Sequence, residues 1–372
     1  IGPWEMYETY GDINKLKKCY DMMKKWVEYQ SSTDRRNYGV RTVDGKEVPE
    51  QSDLATIPYI QVQQCRGDHL TYDNSTPYIY SATAYAAHSA DILRRTAYIL
   101  GKTDDEKRYT ELFENIKRAF NDAWVNDDGS VSYYGEVSSQ TAHCGESVAL
   151  DGSVTRYTYY AENTPHCPSQ TAYALAVDFD LIPTDKLKNT REYFKNSILR
   201  NNCKLTVGFL GISHLAPALS KVGLDDVAFK LLEQEDNPSW LYSVKNGATT
   251  IWERWNSYIA ETGTFGDVSM NSFNHYSYGA IGQWFFTDIL GICPVEFGYK
   301  SFMLSPKFGG GLTYAKGSFT SPYGKISSAW KLHDGKFTYD CTVPTNTTAT
   351  LKLPNGDIHT LVGGSYHFEI NV

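Results

Sequence analysis

Residues 79–100 read IYSATAYAAHSADILRRTAYIL, and after Gly101-Lys102 residues 103–123 read TDDEKRYTELFENIKRAFNDA. In the first stretch Ala82, Ala86, Ala90, Leu93, Ala97 and Leu100 recur at three- and four-residue spacing, which predicts a helix with small residues on its packed face. Gly101 ends it, because glycine reaches the left-handed backbone of a helix C-terminus without strain. Thr103-Asp104-Asp105-Glu106 has the form of a capping box, opening a second helix that packs Tyr109, Leu112, Phe113, Ile116, Phe120 and Ala123 inward. Outward from this pair the same period returns. It appears at Ile13, Leu16, Cys19, Tyr20 and Met23, and after Pro183-Thr184 at Leu187, Phe194 and Ile198. Further helices are expected at about 169–180, 211–222, 225–235 and 271–290. No strand–helix alternation occurs, so a parallel α/β sheet is not expected.

The pattern changes at Cys293-Pro294. Short runs at 299–304, 312–320, 325–332, 336–343, 348–353 and 358–362 predict strands. Asp334-Gly335, Asn355-Gly356 and Gly363-Gly364 supply two-residue turns between them. The fold class is therefore mainly α, then all-β: a helical domain over 1–292 and an antiparallel β-sandwich over 293–372. A stretch at about 127–168, rich in Gly, Ser, Thr and Tyr, reads as a long excursion containing a hairpin.

Among 372 residues, 41% are hydrophobic and 21% charged, so a disordered chain is excluded. The net charge of −8 argues against nucleic acid as a partner. No run of about 20 apolar residues is present, so no membrane-spanning helix is expected. Aromatics reach 14%, with 28 Tyr and 8 Trp. Seven cysteines form no CxxC pair or zinc-spaced cluster, so neither metal nor cofactor is expected; Cys144 and Cys167 are the pair that could bridge. Asn74-Ser75-Thr76 and Asn346-Thr347-Thr348 fit the glycosylation pattern.

Three clusters could carry chemistry. In Thr249-Thr250-Ile251-Trp252-Glu253-Arg254-Trp255 a carboxylate sits between two indoles beside a guanidinium. Rings can raise such a carboxyl and an arginine can lower it, which suits a general base. An ion pair beside two core tryptophans is the structural alternative. Arg66-Gly67-Asp68-His69 could serve a site, or Asp68 could cap a helix. Asn271–Tyr276 could present His275 to a hydroxyl, or cap a helix starting there. Gly309-Gly310-Gly311 lacks the helix and the Lys-Ser/Thr of a phosphate loop and reads as a turn.

Taken in order, the chain resembles glycoside hydrolase family 78, the inverting α-L-rhamnosidases. The blocks are Pro3-Trp4 with Tyr10-Gly11-Asp12, Gly67-Asp68-His69, Thr76-Pro77, Ala84-Tyr85, Ser169–Ala176, Thr206–Gly211, Thr249–Trp255, and Asn274-His275-Tyr276 with Gly279-Ala280. The resemblance implies an (α/α)6 toroid, incomplete in this chain, followed by a β-sandwich. It implies Glu253 as the general base. It implies a sugar pocket drawing on Trp4, Asp68, His69, Trp252, Arg254, Trp255 and His275, and a rhamnose-containing glycoside or oligosaccharide as partner. A secreted or periplasmic enzyme is the expectation from that substrate class.

Two departures follow. His69 stands where the family has tryptophan, which changes one sugar-stacking wall. The family's acid-bearing segment of the Asp-Glu-Arg-x-Gly-Trp-x-Gly-Asp type does not occur in this sequence. The acid is thus expected from outside this chain, from the N-terminal part of the same protein. On its own the chain is expected to be weakly active or inactive, unless Glu146, Asp151 or Glu162 substitutes. A non-catalytic sugar-binding toroid and a polysaccharide lyase using His275 and Tyr276 are the alternatives.

Overall fold

The structure, a computed structural model, describes residues 1–32, 40–43, 46–49, 58–61, 67–72, 76–132, 143–148, 154–159 and 168–372. Arg66, Asp73, Asn74, Asp151, Glu162 and Cys167 lie outside the described residues, as do the side chains of Cys144 and Glu146. Cys19, Cys203, Cys293 and Cys341 are free thiols.

Helix α1 spans Gly2–Tyr10, α2 Ile13–Ser31, α3 Tyr78–Ile99, α4 Thr103–Trp124 and α5 Gln170–Asp178. Then come α6 Leu187–Leu199, α7 Phe209–Lys221, α8 Asp225–Leu232 and α9 Trp240–Lys245. The helix expected over 271–290 is corrected. A 3₁₀ turn (Ser277–Ile281), one α-turn (Gly282–Trp284) and a π-turn (Phe285–Ile289) replace it, and residues 271–276 are loop. The cause is local: the Glu253 and His275 amides donate to the Ser272 and Ile251 carbonyls, so this backbone pairs with a neighbouring segment instead of with itself.

Strands β1 (Val40–Val43) and β2 (Lys46–Pro49) pair antiparallel, as do β3 (His143–Val148) and β4 (Val154–Tyr159), and β5 (Tyr258–Ile259) and β6 (Thr264–Phe265). The C-terminal strands are β7 Ile292–Pro294, β8 Ser301–Leu304, β9 Tyr314–Ser321 and β10 Gly324–His333. They continue with β11 Lys336–Val343, β12 Thr348–Lys352, β13 Ile358–Leu361 and β14 Gly364–Asn371. They build two four-stranded sheets, ordered β14-β11-β10-β9 and β13-β12-β8-β7. One pair departs from the antiparallel expectation: β12 runs parallel to β8. Strand β14 lies beyond the expected runs, although Tyr366, Phe368 and Ile370 alternate along it and pair opposite Cys341, Tyr339 and Phe337.

The residues pack as two units. One holds Ile1–Lys25, Arg95–Thr103 and Ile281–Val372. Here the sheets bury Phe302, Leu304, Trp330, Phe337 and Tyr339. Ser328 and Trp330 of β10 donate to the Leu290 and Ile289 carbonyls, satisfying groups that the end of the π-turn leaves open. Helix α1 packs here as well: Trp4 and Tyr7 meet Phe297, and the Gly298 amide donates to the Glu8 carbonyl.

The other unit holds Trp26–Arg94 and Asp104–Ala280. Its core joins Tyr80 of α3 to Phe120 and Trp124 of α4, with ring centroids 4.8 and 5.2 Å apart. The Tyr80 hydroxyl donates to the Ala172 carbonyl of α5. Helix α5 is buried on all sides from Gln170 to Val177, which is why its sequence carries little amphipathic period. Its closest neighbour is α7. A Cβ at Gly211 would lie 2.2 Å from Thr171 Oγ1, so glycine is what lets the two helices touch.

Gly211→Ala is expected to destabilise the protein by about 1–3 kcal/mol in urea unfolding, from overpacking. Alanine in an unobstructed helix would instead stabilise by up to about 1 kcal/mol. Gly282→Ala, where a Cβ meets nothing within 4 Å, is the matched control and is expected to be neutral or stabilising.

Candidate active site

The segment 250–255 and the segment 270–275 run side by side. The Glu253 amide donates to the Ser272 carbonyl at 2.9 Å and the His275 amide to the Ile251 carbonyl at 2.8 Å. The Thr250 hydroxyl donates to the Phe273 carbonyl, and Arg254 Nε to the Met270 carbonyl at 2.7 Å. This ladder puts Glu253 and His275 on adjacent rungs of one structure.

The Glu253 carboxylate is half-buried, and its Oε2 accepts the Ser272 amide at 2.7 Å. One backbone donor thus sets its orientation. Among the described residues Oε1 accepts no hydrogen bond and can take one from water. Arg254 does not pair with it. The guanidinium turns to Asp267 Oδ2, 3.2 Å away, so the Glu–Arg ion pair weighed from sequence is replaced by an Arg254–Asp267 pair. Asp267 also accepts the Ser269 hydroxyl and amide. Those bonds, with Arg254, hold its carboxyl below the ordinary value.

The two indoles hold the ladder in place. Trp255 is 3% exposed, stacks on Tyr278 at 3.8 Å, and donates its indole N–H to the Val207 carbonyl. The Tyr278 hydroxyl donates to the Leu70 carbonyl. Trp252 is buried edge-on against Phe273. On the flank of the ladder a cleft of about 250 Å³ is lined by Trp240, Thr249, Ile251, Trp252, Trp255 and Tyr278, among others.

Asp68 stands at the centre of a second knot. It is buried, and four protein donors reach its carboxylate: the Thr171 hydroxyl and the amides of Gly208 (2.8 Å), Leu210 (2.8 Å) and Gly211 (2.9 Å). The last three are orphan N–H groups at the start of α7, where the helix dipole also favours an anion. Burial pushes the carboxyl up, and the four donors oppose it. Sequence reasoning allowed Asp68 a capping role. The helix it caps begins about 140 residues later in the chain. Neighbours complete the knot. Gln170 binds the Lys204 carbonyl and the Thr206 amide, Phe209 N–H donates to the His69 carbonyl, and Tyr72 N–H to the Thr206 carbonyl. A Cβ at Gly208 would fall 2.3 Å from the His69 carbonyl oxygen.

Phe209, which sequence reasoning did not single out, joins these parts. His275 stacks on its ring at 4.9 Å with 18° between planes, and His69 meets it edge-on at 5.5 Å. Its position directly after the glycine of Thr206–Gly211 was the available signal. Glu253, Trp252, Arg254, Trp255, Asp68, His69 and His275 thus belong to one unit. Trp4 belongs to the other, buried with its face under Arg95 at 4.4 Å and its edge against Phe297.

A family model for the bacterial alpha-L-rhamnosidase 6 hairpin glycosidase domain matches residues 1–289, and one for the bacterial alpha-L-rhamnosidase C-terminal domain matches 291–368. An alpha-L-rhamnosidase of Formosa agariphila is 33% identical over 97% of this chain and 34% of its own length. Among solved structures, the Streptomyces avermitilis alpha-L-rhamnosidase complexed with L-rhamnose is similar at a TM-score of 0.80 and 31% identity, over 99% of this chain and 32% of that one. The native Aspergillus terreus alpha-L-rhamnosidase is similar at a TM-score of 0.76 and 29% identity, over 99% of this chain and 38% of that one. The chain spans about a third of the length of the curated relatives it matches.

Because the Asp267 carboxyl titrates below its ordinary value of 3.8, it favours the folded loop above that pH. The contribution is lost as pH falls through the lower folded value. Urea midpoints measured from about pH 5 to pH 2 should fall more steeply in the wild type than in Asp267→Asn. Identical pH profiles for the two would contradict a lowered Asp267 carboxyl held by Ser269 and Arg254.

Proposed function

Because the chain belongs to the bacterial alpha-L-rhamnosidase six-hairpin glycosidase family, we propose that the protein hydrolyses α-L-rhamnosides with inversion, using Glu253 as general base. One observation carries the assignment of Glu253. Its carboxylate is aimed by the Ser272 amide through one oxygen while the other accepts no hydrogen bond among the described residues. A base must be rigid on one side and open to water on the other. The pairing of Arg254 with Asp267 supports the same reading, since it takes the guanidinium away from the carboxylate. The L-rhamnose bound in the Streptomyces avermitilis relative supports the choice of sugar.

Inversion needs two carboxyl groups on opposite faces of the sugar: an acid that protonates the leaving oxygen and a base that takes a proton from water. Glu253 supplies the second. The first is assigned to a segment of the intact protein other than this chain. His275 and His69, held around Phe209, are the groups proposed to meet the sugar hydroxyls. Trp252, Trp255 and Arg254 keep the Glu253 ladder in register.

In the intact protein Glu253→Gln is expected to lower kcat on an aryl α-L-rhamnoside by about 10²–10⁴-fold while L-rhamnose still binds. Proton NMR of the first product should show β-L-rhamnose. Wild-type turnover by the variant, or initial release of the α anomer, would overturn the proposal.

A further inference from the structure

We propose that Asp68 is a positioning residue for the sugar site: it touches no sugar and acts through the start of α7 and the Phe209 ring on His275. The inference rests on the reading that His275 meets the substrate.

The argument begins with donor counting. An ionised carboxylate offers about four acceptor positions. At Asp68 four protein donors use them, from Thr171, Gly208, Leu210 and Gly211. A sugar hydroxyl would have to displace one, leaving a buried N–H or O–H unpaired. The four bonds instead fix where α7 begins. Phe209 is its first residue, between two of the bonded amides, so the ring's place follows from the carboxylate's. His275 comes from a loop, stacks on that ring, and its own Nδ1 accepts the Ser277 amide at 3.3 Å. Phe209 therefore forms the floor that sets the imidazole's plane.

A second tie between the same helices provides the control. Asp178 of α5 pairs with Nδ1 of His214 on α7 at 2.6 Å, and the Tyr85 hydroxyl of α3 meets Nε2 at 3.1 Å. This tie holds α5 to α7 without holding Phe209. If Asp68 mattered only by joining the two helices, loss of either tie would have the same consequence.

The test uses the intact protein with ¹³C-labelled histidine, the His275 ring signal being assigned by its loss in His275→Gln. Stacking on Phe209 gives that signal a ring-current shift. Asp68→Asn and Phe209→Leu are expected to remove the Phe209 contribution to the shift, leaving that of Tyr276, which also stacks on His275 at 5.6 Å, and to weaken L-rhamnose binding in calorimetry by up to about 100-fold. Asp178→Asn is expected to lower Tm but leave both readouts unchanged. Thr171→Val, which removes one of the four donors, should move both partway and serves if Asp68→Asn does not fold. An unmoved His275 signal in both Asp68 →Asn and Thr171→Val overturns the inference. So does a moved signal with unchanged rhamnose affinity, or an effect of Asp178→Asn equal to that of Asp68→Asn. A wild-type protein that binds no L-rhamnose, but whose His275 signal still follows Asp68, sinks the sugar reading and leaves the structural link standing.

Discussion

One buried carboxylate, satisfied by four donors, determines where the candidate site is. Asp68 gathers the first turn of α7, the start of α5 and the segment 67–72 into a single knot. The interaction is strong because it is charge-assisted and lies at a helix N-terminus, where the unpaired amides favour an anion. It is also unforgiving. Removing the carboxylate would leave several buried N–H groups without partners, each costing about 1–3 kcal/mol. The two glycines of this turn serve the same contact, since a side chain at 208 or 211 would fall on the His69 carbonyl or the Thr171 side chain.

The ladder that carries Glu253 depends on the knot through its aromatic residues. Trp255 donates to the Val207 carbonyl and Tyr278 to the Leu70 carbonyl, one on each of the two segments that the knot joins. The loop therefore needs no regular secondary structure to be rigid. Backbone and side-chain groups of its two segments bond one another, and the Trp255 and Tyr278 rings are anchored by one hydrogen bond each. A catalytic carboxylate benefits from such a support, because its supporting shell rather than its own rotamer sets the geometry.

Much of the architecture was legible in the sequence. The period of 79–123 specified α3 and α4, and the alternating runs after Cys293 with the Asp334-Gly335 turn specified most of the C-terminal strands, because local dihedral preferences and one-sided burial write directly into residue order. Of the other expected two-residue turns, Asn355-Gly356 lies in the longer loop between β12 and β13, and Gly363-Gly364 joins β13 to β14 of the other sheet instead of closing a hairpin. Where burial is not one-sided the signal fails. Helix α5 is enclosed on every face, so its sequence carries little amphipathic period. Residues 271–276, expected as the start of a helix, form a loop because the neighbouring segment takes up their backbone groups. The parallel pairing of β12 with β8 likewise left no mark, since alternation reports a strand and not its direction.

By itself the sequence indicated the long helices and most of the C-terminal strands, and its blocks taken in order carried the resemblance that made Glu253 the candidate base. Only the tertiary structure decided what those residues do to one another. It gave Arg254 to Asp267, turned Asp68 to a helix about 140 residues away, and made Phe209 the surface on which His275 rests. The reason is physical. Propensity and periodicity act over a few residues, whereas hydrogen-bond satisfaction of a buried charge is settled by whichever donors the folded chain brings within reach.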